Sequence, residues 1–367
     1  KGKHRDKNAY RIESDIEYYF HNVMARITGL QGYFSFFATK RLIKYIKNIS
    51  PDIIHLQNLH ANYLHLPQLF KFLKKSGIPV ILTLHDCWAF TGKCPHYTDR
   101  QCFKWKTGCF NCPAKHMYPQ SLFFDRTKKL YADKKRWLTG IKDLSVIGVS
   151  KWISNQAKMS FLSNKNILAI YNWVDRSVFY PRKENVLGKY GIDISKFIIL
   201  GVSASWTKGS VRYESFIKLS DLIRDDMQIV LVGNSKVSQF PENVKHIPYV
   251  GDINELAQIY SSADVFVHLS TQDAFGKVVA EAMACGTPVI VYNSTALPEL
   301  VGKDCGYIVK VNDIQEVYEC IQLVQKRGKN LYSDNCVKFV EDHFNYKNNV
   351  QQIINLYGAL INDNLYH

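Results

Sequence analysis

Short apolar runs recur along the chain, and each is followed by a stretch whose apolar residues return every three or four positions. In the second half the runs are FIILGVSA (197–204), MQIVLVG (227–233), VKHIPYVG (244–251), DVFVHLS (264–270) and TPVIVYN (287–293), which predict strands. SFIKLSDLIRD, NELAQIYSSA and FGKVVAEAMACG (275–286) predict helices, with Asn254 placed to cap the second and Gly286 to close the third. The apolar runs do not alternate cleanly with polar residues, as in a sheet covered on both faces. The first half repeats the pattern. Helices are expected at TKRLIKYIKNIS and at PQLFKFLKKSG, ended by Gly77; strands are expected at DIIHLQ (52–57), VILTLHD (80–86), LSVIGVS (144–150) and KNILAIYN (165–172). Such repetition predicts an α/β fold built on doubly wound parallel sheets.

A chain of 367 residues has room for two such units. The expected division is 1–180 and 181–345, joined around SVFYPRKEN, with a basic, cysteine-rich insertion at about 87–140. The closing segment 346–367, which contains VQQIINLYGALI, is expected to be an amphipathic helix that crosses back to the first domain. Two doubly wound domains facing across a cleft can bind a nucleotide-bearing ligand at the carboxyl ends of their strands. The opening residues KGKHRDKNAYRIESD read as neither a strand nor a glycine-rich loop, so a truncated N-terminus is expected.

Charge sharpens this picture. The formal net charge is +15, yet residues 1–180 carry 29 Lys and Arg against 11 Asp and Glu, whereas residues 181–367 carry 18 against 21. A basic first half suits an anionic partner such as a phospholipid surface or a phosphorylated substrate. Nucleic acid is excluded as the expected partner, because no RNP-like, helix-turn-helix or finger spacing occurs. No apolar run reaches the length of a bilayer-spanning helix, and no signal peptide is visible. A reducing, cytoplasmic setting is therefore expected for the nine cysteines.

The chemistry concentrates after the strand at 264–270. Asp273 and Glu281 stand eight residues apart, about 12 Å if both lay along one helix. At that separation they do not form a mutual acid–base pair, but they can grip two hydroxylated groups of one long ligand. Between them Phe275, Gly276, Lys277 and Val278 open a helix whose free N–H groups attract an anion. Carboxylate, anion cradle and carboxylate follow one another as sugar, diphosphate and ribose do in a nucleotide sugar.

DAFGKVVAE followed by AMACGTPVI resembles the E-x7-E signature of retaining GT-B glycosyltransferases of family 4 (group 1). TALPEL, GVSASWTKGS, YNWVD, HLQNLH and VILTLHD are similar to further motifs of that family. HDCWAFTGKC with its cysteine-rich sequel resembles bacterial exopolysaccharide and colanic-acid-type transferases. The resemblance implies that Asp273 bonds the donor sugar and Glu281 the ribose. The backbone at Gly276 to Val278, beside Phe275 and Lys277, would hold the diphosphate. Lys208 would neutralise the departing phosphate, and His85 would stand near the reaction centre. Two departures are visible. Asp273 replaces the family's usual Glu, and Gly201-Val202-Ser203-Ala204 lacks an arginine that is common there, which leaves Arg212 as the expected substitute. Asp86 is expected to orient His85, while His55 and His60 are expected to be structural.

Cys94, Cys102, Cys109 and Cys112 supply four thiols in 19 residues. A structural zinc that folds a polar loop is one expectation; disulfides or free thiols are the others. No catalytic cofactor or metal is implied.

These readings lead to one expectation. The chain is a retaining hexosyltransferase that passes a sugar from a UDP- or GDP-type donor to a lipid-linked glycan, working peripherally at the inner face of the plasma membrane. A non-catalytic nucleotide-sugar-binding subunit and a nucleotide-sugar epimerase of the same architecture are the alternatives.

Overall fold

The computed structural model describes residues 9–365. The first eight residues of the opening segment lie outside the described residues. The chain divides into two compact units: residues up to Ala169 together with those from Ile354 onward, and Ile170–Ile353. The division falls about ten residues earlier than the sequence suggests, because 170–181 is bonded into the second unit. Tyr171 Oη donates to Glu299 at 2.8 Å, Arg176 donates to the carbonyl of Ala284, and Phe179 packs on Tyr260.

The first unit carries four parallel strands, β1 (Ile54–Leu56), β2 (Val80–Leu84), β3 (Leu144–Gly148) and β4 (Asn166–Ala169), in the order β1-β2-β3-β4. Every residue of β2 and β3 is buried, which explains their unbroken apolar runs. Helices α1 (Asp15–Thr28), α2 (Phe36–Ile49), α3 (Leu66–Ser76), α4 (Thr127–Thr139) and α5 (Lys151–Lys158) complete it. Helix α1 starts from a capping box formed by Ser14 and Glu17.

The insertion after β2 is not the coreless polar loop that the sequence suggests. Phe90, Tyr97 and Trp105 are buried against one another, with ring centroids 5.1 Å apart on either side of Trp105. Lys134 of α4 lies buried over the Trp88 ring and donates to the Trp88 carbonyl. Lys93 Nζ gathers the carbonyls of Ala114, Lys115 and Met117. Helix α4 itself is the crossover from β2 to β3, and its Trp137 stacks on Phe70 of α3 at 5.3 Å.

The second unit holds six parallel strands: β5 (Phe197–Trp206), β6 (Met227–Ser235), β7 (Val244–Ile247), β8 (Val265–His268), β9 (Val289–Tyr292) and β10 (Gly306–Val309). Their order is β10-β9-β8-β5-β6-β7. Helices α6 (Val211–Ser220), α7 (Ile253–Ser262), α8 (Lys277–Ala284), α9 (Ile314–Arg327) and α10 (Asn330–His343) flank the sheet in sequence. The cap of α7 is Asp252 rather than Asn254, for its carboxylate accepts the Asn254 N–H at 2.8 Å.

Helix α11 (Tyr346–Leu365) belongs to both units in turn. Asn349 donates to the Tyr171 carbonyl at 3.1 Å, and eight residues later Tyr357 Oη lies 2.6 Å from His55 Nδ1. No helix among the described residues is long and apolar enough to cross a membrane.

Candidate functional site

The second sheet reverses its strand order between β5 and β8. In a doubly wound sheet the ligand crevice lies beyond the carboxyl ends of the strands at such a reversal. The end of β5, the turn after it and the start of α6 bring Ser203, Lys208 and Arg212 to that point; the loop after β8 brings Asp273 and Gly276.

Asp273 precedes α8, and only Glu281 is on the helix, so the 12 Å spacing along one helix does not apply. The Asp273 carboxylate is 3.1 Å from Nε2 of the buried His268, the last residue of β8. Burial by itself would raise its pKa. The charge and hydrogen bond of His268, helped by Ser270 and the Arg212 guanidinium, hold it well below the usual carboxylate range. Asp273 is therefore held in its ionised, acceptor-only form.

Glu281 behaves in the opposite way. Its side chain is about nine-tenths enclosed in α8. Enclosure pushes its pKa up to about 7, against the smaller pull of Lys277 at 3.8 Å and of the Tyr260 hydroxyl at 3.3 Å.

Gly276 caps α8 with φ +97°, and no side chain caps that end. A Cβ here would lie 2.8 Å from both Leu297 and Leu300, so the glycine is required by packing rather than by ligand approach. The Phe275 ring is buried against Tyr171 and Phe344, which leaves only its backbone for a donor. Lys277 is exposed and Val278 half-buried on the first turn. TALPEL supplies the 3-10 turn Leu297–Leu300 that closes this corner. Lys208 stands exposed on the turn after β5. Arg212 Nη1 donates to Ser203 Oγ at 2.6 Å, so its cation folds back over the segment where the expected arginine is absent.

In the first unit His85 follows β2 and meets Gln57 Oε1 at 2.6 Å. Loss of solvent around the ring lowers its pKa, and Asp86 partly offsets this. Asp86 does not orient His85, however. It pairs with His60 Nε2 at 2.7 Å and accepts the Trp88 N–H at 2.8 Å. His60, expected to be structural, thus lines the same small strand-end hollow as His85. His55 is held between Thr83 and Tyr357. Sequence reasoning gave no role to His268, whose visible signal was a histidine at the end of the apolar run VFVH.

The four clustered cysteines line one small cavity, and all nine thiols are free. The Cys94 and Cys112 thiols hydrogen-bond to each other, and Cys109 accepts from the Gly92 N–H at 3.1 Å. Among the described residues no three His, Cys, Asp or Glu side chains are disposed to hold an ion. What is seen is a gathered set of thiols, with Cys87 buried elsewhere.

Known proteins match both halves. The Glycosyltransferase Family 4 family matches residues 6–178, and Glycosyl transferases group 1 matches residues 198–326. The putative colanic acid biosynthesis glycosyl transferase WcaC of Escherichia coli K12 is 27% identical over 299 residues, 76% of this chain and 68% of that protein. The N-acetyl-alpha-D-glucosaminyl L-malate synthase of Bacillus anthracis is 29% identical over 199 residues, 51% of this chain and 52% of that one. Among solved structures, sucrose-phosphate synthase from Thermosynechococcus elongatus superposes with a TM-score of 0.67 at 18% identity, covering 89% of this chain and 79% of that one. Anabaena HepE in complex with UDP and glucose gives 0.63 at 17% identity, covering 88% and 81%. With its two halves matched in order and its second sheet furnished at the switch point, the chain belongs to the family 4, group 1 glycosyltransferases of GT-B fold.

Proposed function

We propose that this glycosyltransferase moves a sugar, with retention, from a UDP- or GDP-type nucleotide sugar to a lipid-linked glycan in bacterial polysaccharide biosynthesis. The observation that carries the reading is the order of groups at the β5/β8 reversal: an ionised Asp273, the open first turn of α8, and the enclosed Glu281. HepE, a structure of this fold, was solved with UDP and with UDP-glucose, and WcaC is named for colanic acid biosynthesis.

In this reading Glu281 accepts from the ribose diol, and the first N–H groups of α8 face the diphosphate. Asp273, kept charged by His268, accepts from the sugar hydroxyls. The acceptor oxygen bonds to the anomeric carbon on the face that the leaving group departs from, as the bond to the β-phosphate oxygen breaks. The acceptor's proton passes to that phosphate. Lys208, Arg212 and the helix N-terminus stabilise the charge that develops there. No metal takes part in the step. The basic first half serves the acceptor, at the inner face of the plasma membrane.

Calorimetric titration with UDP, GDP and ADP tests this. One nucleotide should bind, and Glu281→Ala should abolish its binding. No binding to folded protein would remove the ribose role of Glu281 and the donor class with it. Donor turnover without acceptor would favour an epimerase, and binding without transfer a carrier subunit.

A further inference from the structure

A cavity of about 210 Å3 opens in the first unit between α1 and the insertion. It is smaller than the roughly 300–1,000 Å3 that encloses a whole drug-sized ligand, so it suits one group of a larger molecule. Arg26, Lys115 and Arg126 stand in its wall. The acid among its lining residues is Asp125, and that carboxylate is already committed. It accepts from the Cys112 N–H at 2.7 Å, the Thr127 N–H at 2.9 Å and the Thr127 hydroxyl at 2.6 Å. Among the described residues neither Arg26 nor Arg126 is in an ion pair, and Arg126 instead lies 5.1 Å over the Phe124 ring. The open side of the cavity is thus positively charged, with guanidinium groups that keep unused donors.

A second observation is independent of charge. Asn62 lines the same cavity, and its Nδ2 donates to Asn22 Oδ1 at 2.9 Å. Its Oδ1 is buried with no hydrogen-bond partner. A buried acceptor left unmatched is costly, and a turn of the Asn62 amide toward the cavity would let a ligand hydroxyl satisfy it. Position adds a third point. Tyr118 and Gln31, also in the wall, both reach His60: Tyr118 Oη is 3.1 Å from Nδ1, and Gln31 Nε2 donates to the carbonyl at 2.6 Å. The cavity therefore adjoins the strand-end hollow of His60, Asp86 and His85.

We infer that this cavity holds an anionic group of the acceptor, a phosphate or a uronic carboxylate, with a neighbouring hydroxyl donated to Asn62. The inference rests on the reading of the first unit as the acceptor side. An acceptor so held would be chosen by its charge over its neutral counterpart, because only the anion pairs with the two arginines.

Ligand-observed NMR with inorganic pyrophosphate, glucuronate and neutral glucose as probes tests this on the whole chain. The wild type is compared with Arg26→Gln/Arg126→Gln, with Arg26→Glu, and with Lys208→Ala, which reports on the second unit's phosphate contact. Both arginines are exposed, and circular dichroism checks the fold of each variant. The double variant should lose at least ten-fold in affinity for pyrophosphate, for glucuronate, or for both, whereas Lys208→Ala should weaken only the pyrophosphate held by the second unit and leave glucuronate binding as in the wild type. Loss for pyrophosphate assigns the phosphate; loss for glucuronate assigns the carboxylate. Unchanged binding of both anions in the arginine variants, no anion binding to the wild type, or equally tight binding of glucose overturns the inference. UDP, GDP and ADP are titrated into the same samples. Nucleotide binding that survives a failed anion test leaves the donor reading intact, and arginine-dependent anion binding without any nucleotide binding does the reverse.

Discussion

Glu281 sets a trade between stability and binding that a pH series can expose. Its carboxyl titrates near 7 in the fold against 4.5 in the free chain, through enclosure first and in spite of Lys277 and Tyr260. The neutral form is the one the fold prefers. Its contribution to stability is complete below pH 4.5 and is lost as pH rises through 7, a difference of roughly 3 kcal/mol on the alkaline side. Glu281→Gln should therefore exceed the wild type in urea midpoint at pH 8 and match it near pH 4.5. Equal margins at both would show a carboxylate ionised throughout. Binding runs the other way, since the ribose diol wants the charged acceptor. Affinity for a nucleoside (uridine or guanosine, which carry no titrating phosphate) should rise from pH 6 to 8 in the wild type. In Glu281→Gln it should be flat and about ten-fold weaker. A wild-type affinity that is flat with pH would assign the ribose to another group.

Among the elements, α8 depends on one backbone conformation at its start. Gly276 holds φ +97° with Leu297 and Leu300 closing over the place of a side chain. Gly276→Ala should cost about 1–3 kcal/mol, read as a lowered denaturation midpoint, and Gly276→Ala/Leu297→Ala should recover part of it. No change in the single variant would mean that the Leu297–Leu300 turn gives way freely. Other elements differ in how far the sequence reveals them. Strands β2, β3, β5, β6 and β9 were legible because burial on both faces leaves continuous apolar runs. Strand β10 was not. It has four residues, pairs only with β9 and leaves Ile308 exposed, so no run stands out. The Asp273–Glu281 segment could be read because its residues are consecutive. The His60–Asp86 pair could not, since those residues are 26 apart and meet only because β1 and β2 lie parallel with Leu56 opposite Leu82. The same pairing reserves Asp86 for His60 and leaves His85 to Gln57.

At the scale of the whole molecule, charge is divided as unevenly as chemistry. The basic half also exposes Phe36, Phe37, Phe123 and Phe124, aromatic groups suited to a headgroup layer. Vesicles of phosphatidylglycerol should retain the chain in sedimentation, and vesicles of phosphatidylcholine should not. Retention should fall as salt rises from ~0.05 to ~0.5 M, where screening shortens the reach of charge. Equal retention on both lipids would remove the electrostatic account of the basic half. The division of the chain also has a consequence for dissection. The backbone leaves the first unit after Ala169 and returns to it at Ile354, so the second unit is an insert within the first. One uninterrupted gene segment, 170–353, encodes the second unit, so its coding sequence can be exchanged as a single block. The other half has no such segment. It is assembled from two distant stretches of the message, and a nascent chain cannot complete it until helix α11 has left the ribosome and Tyr357 has reached His55.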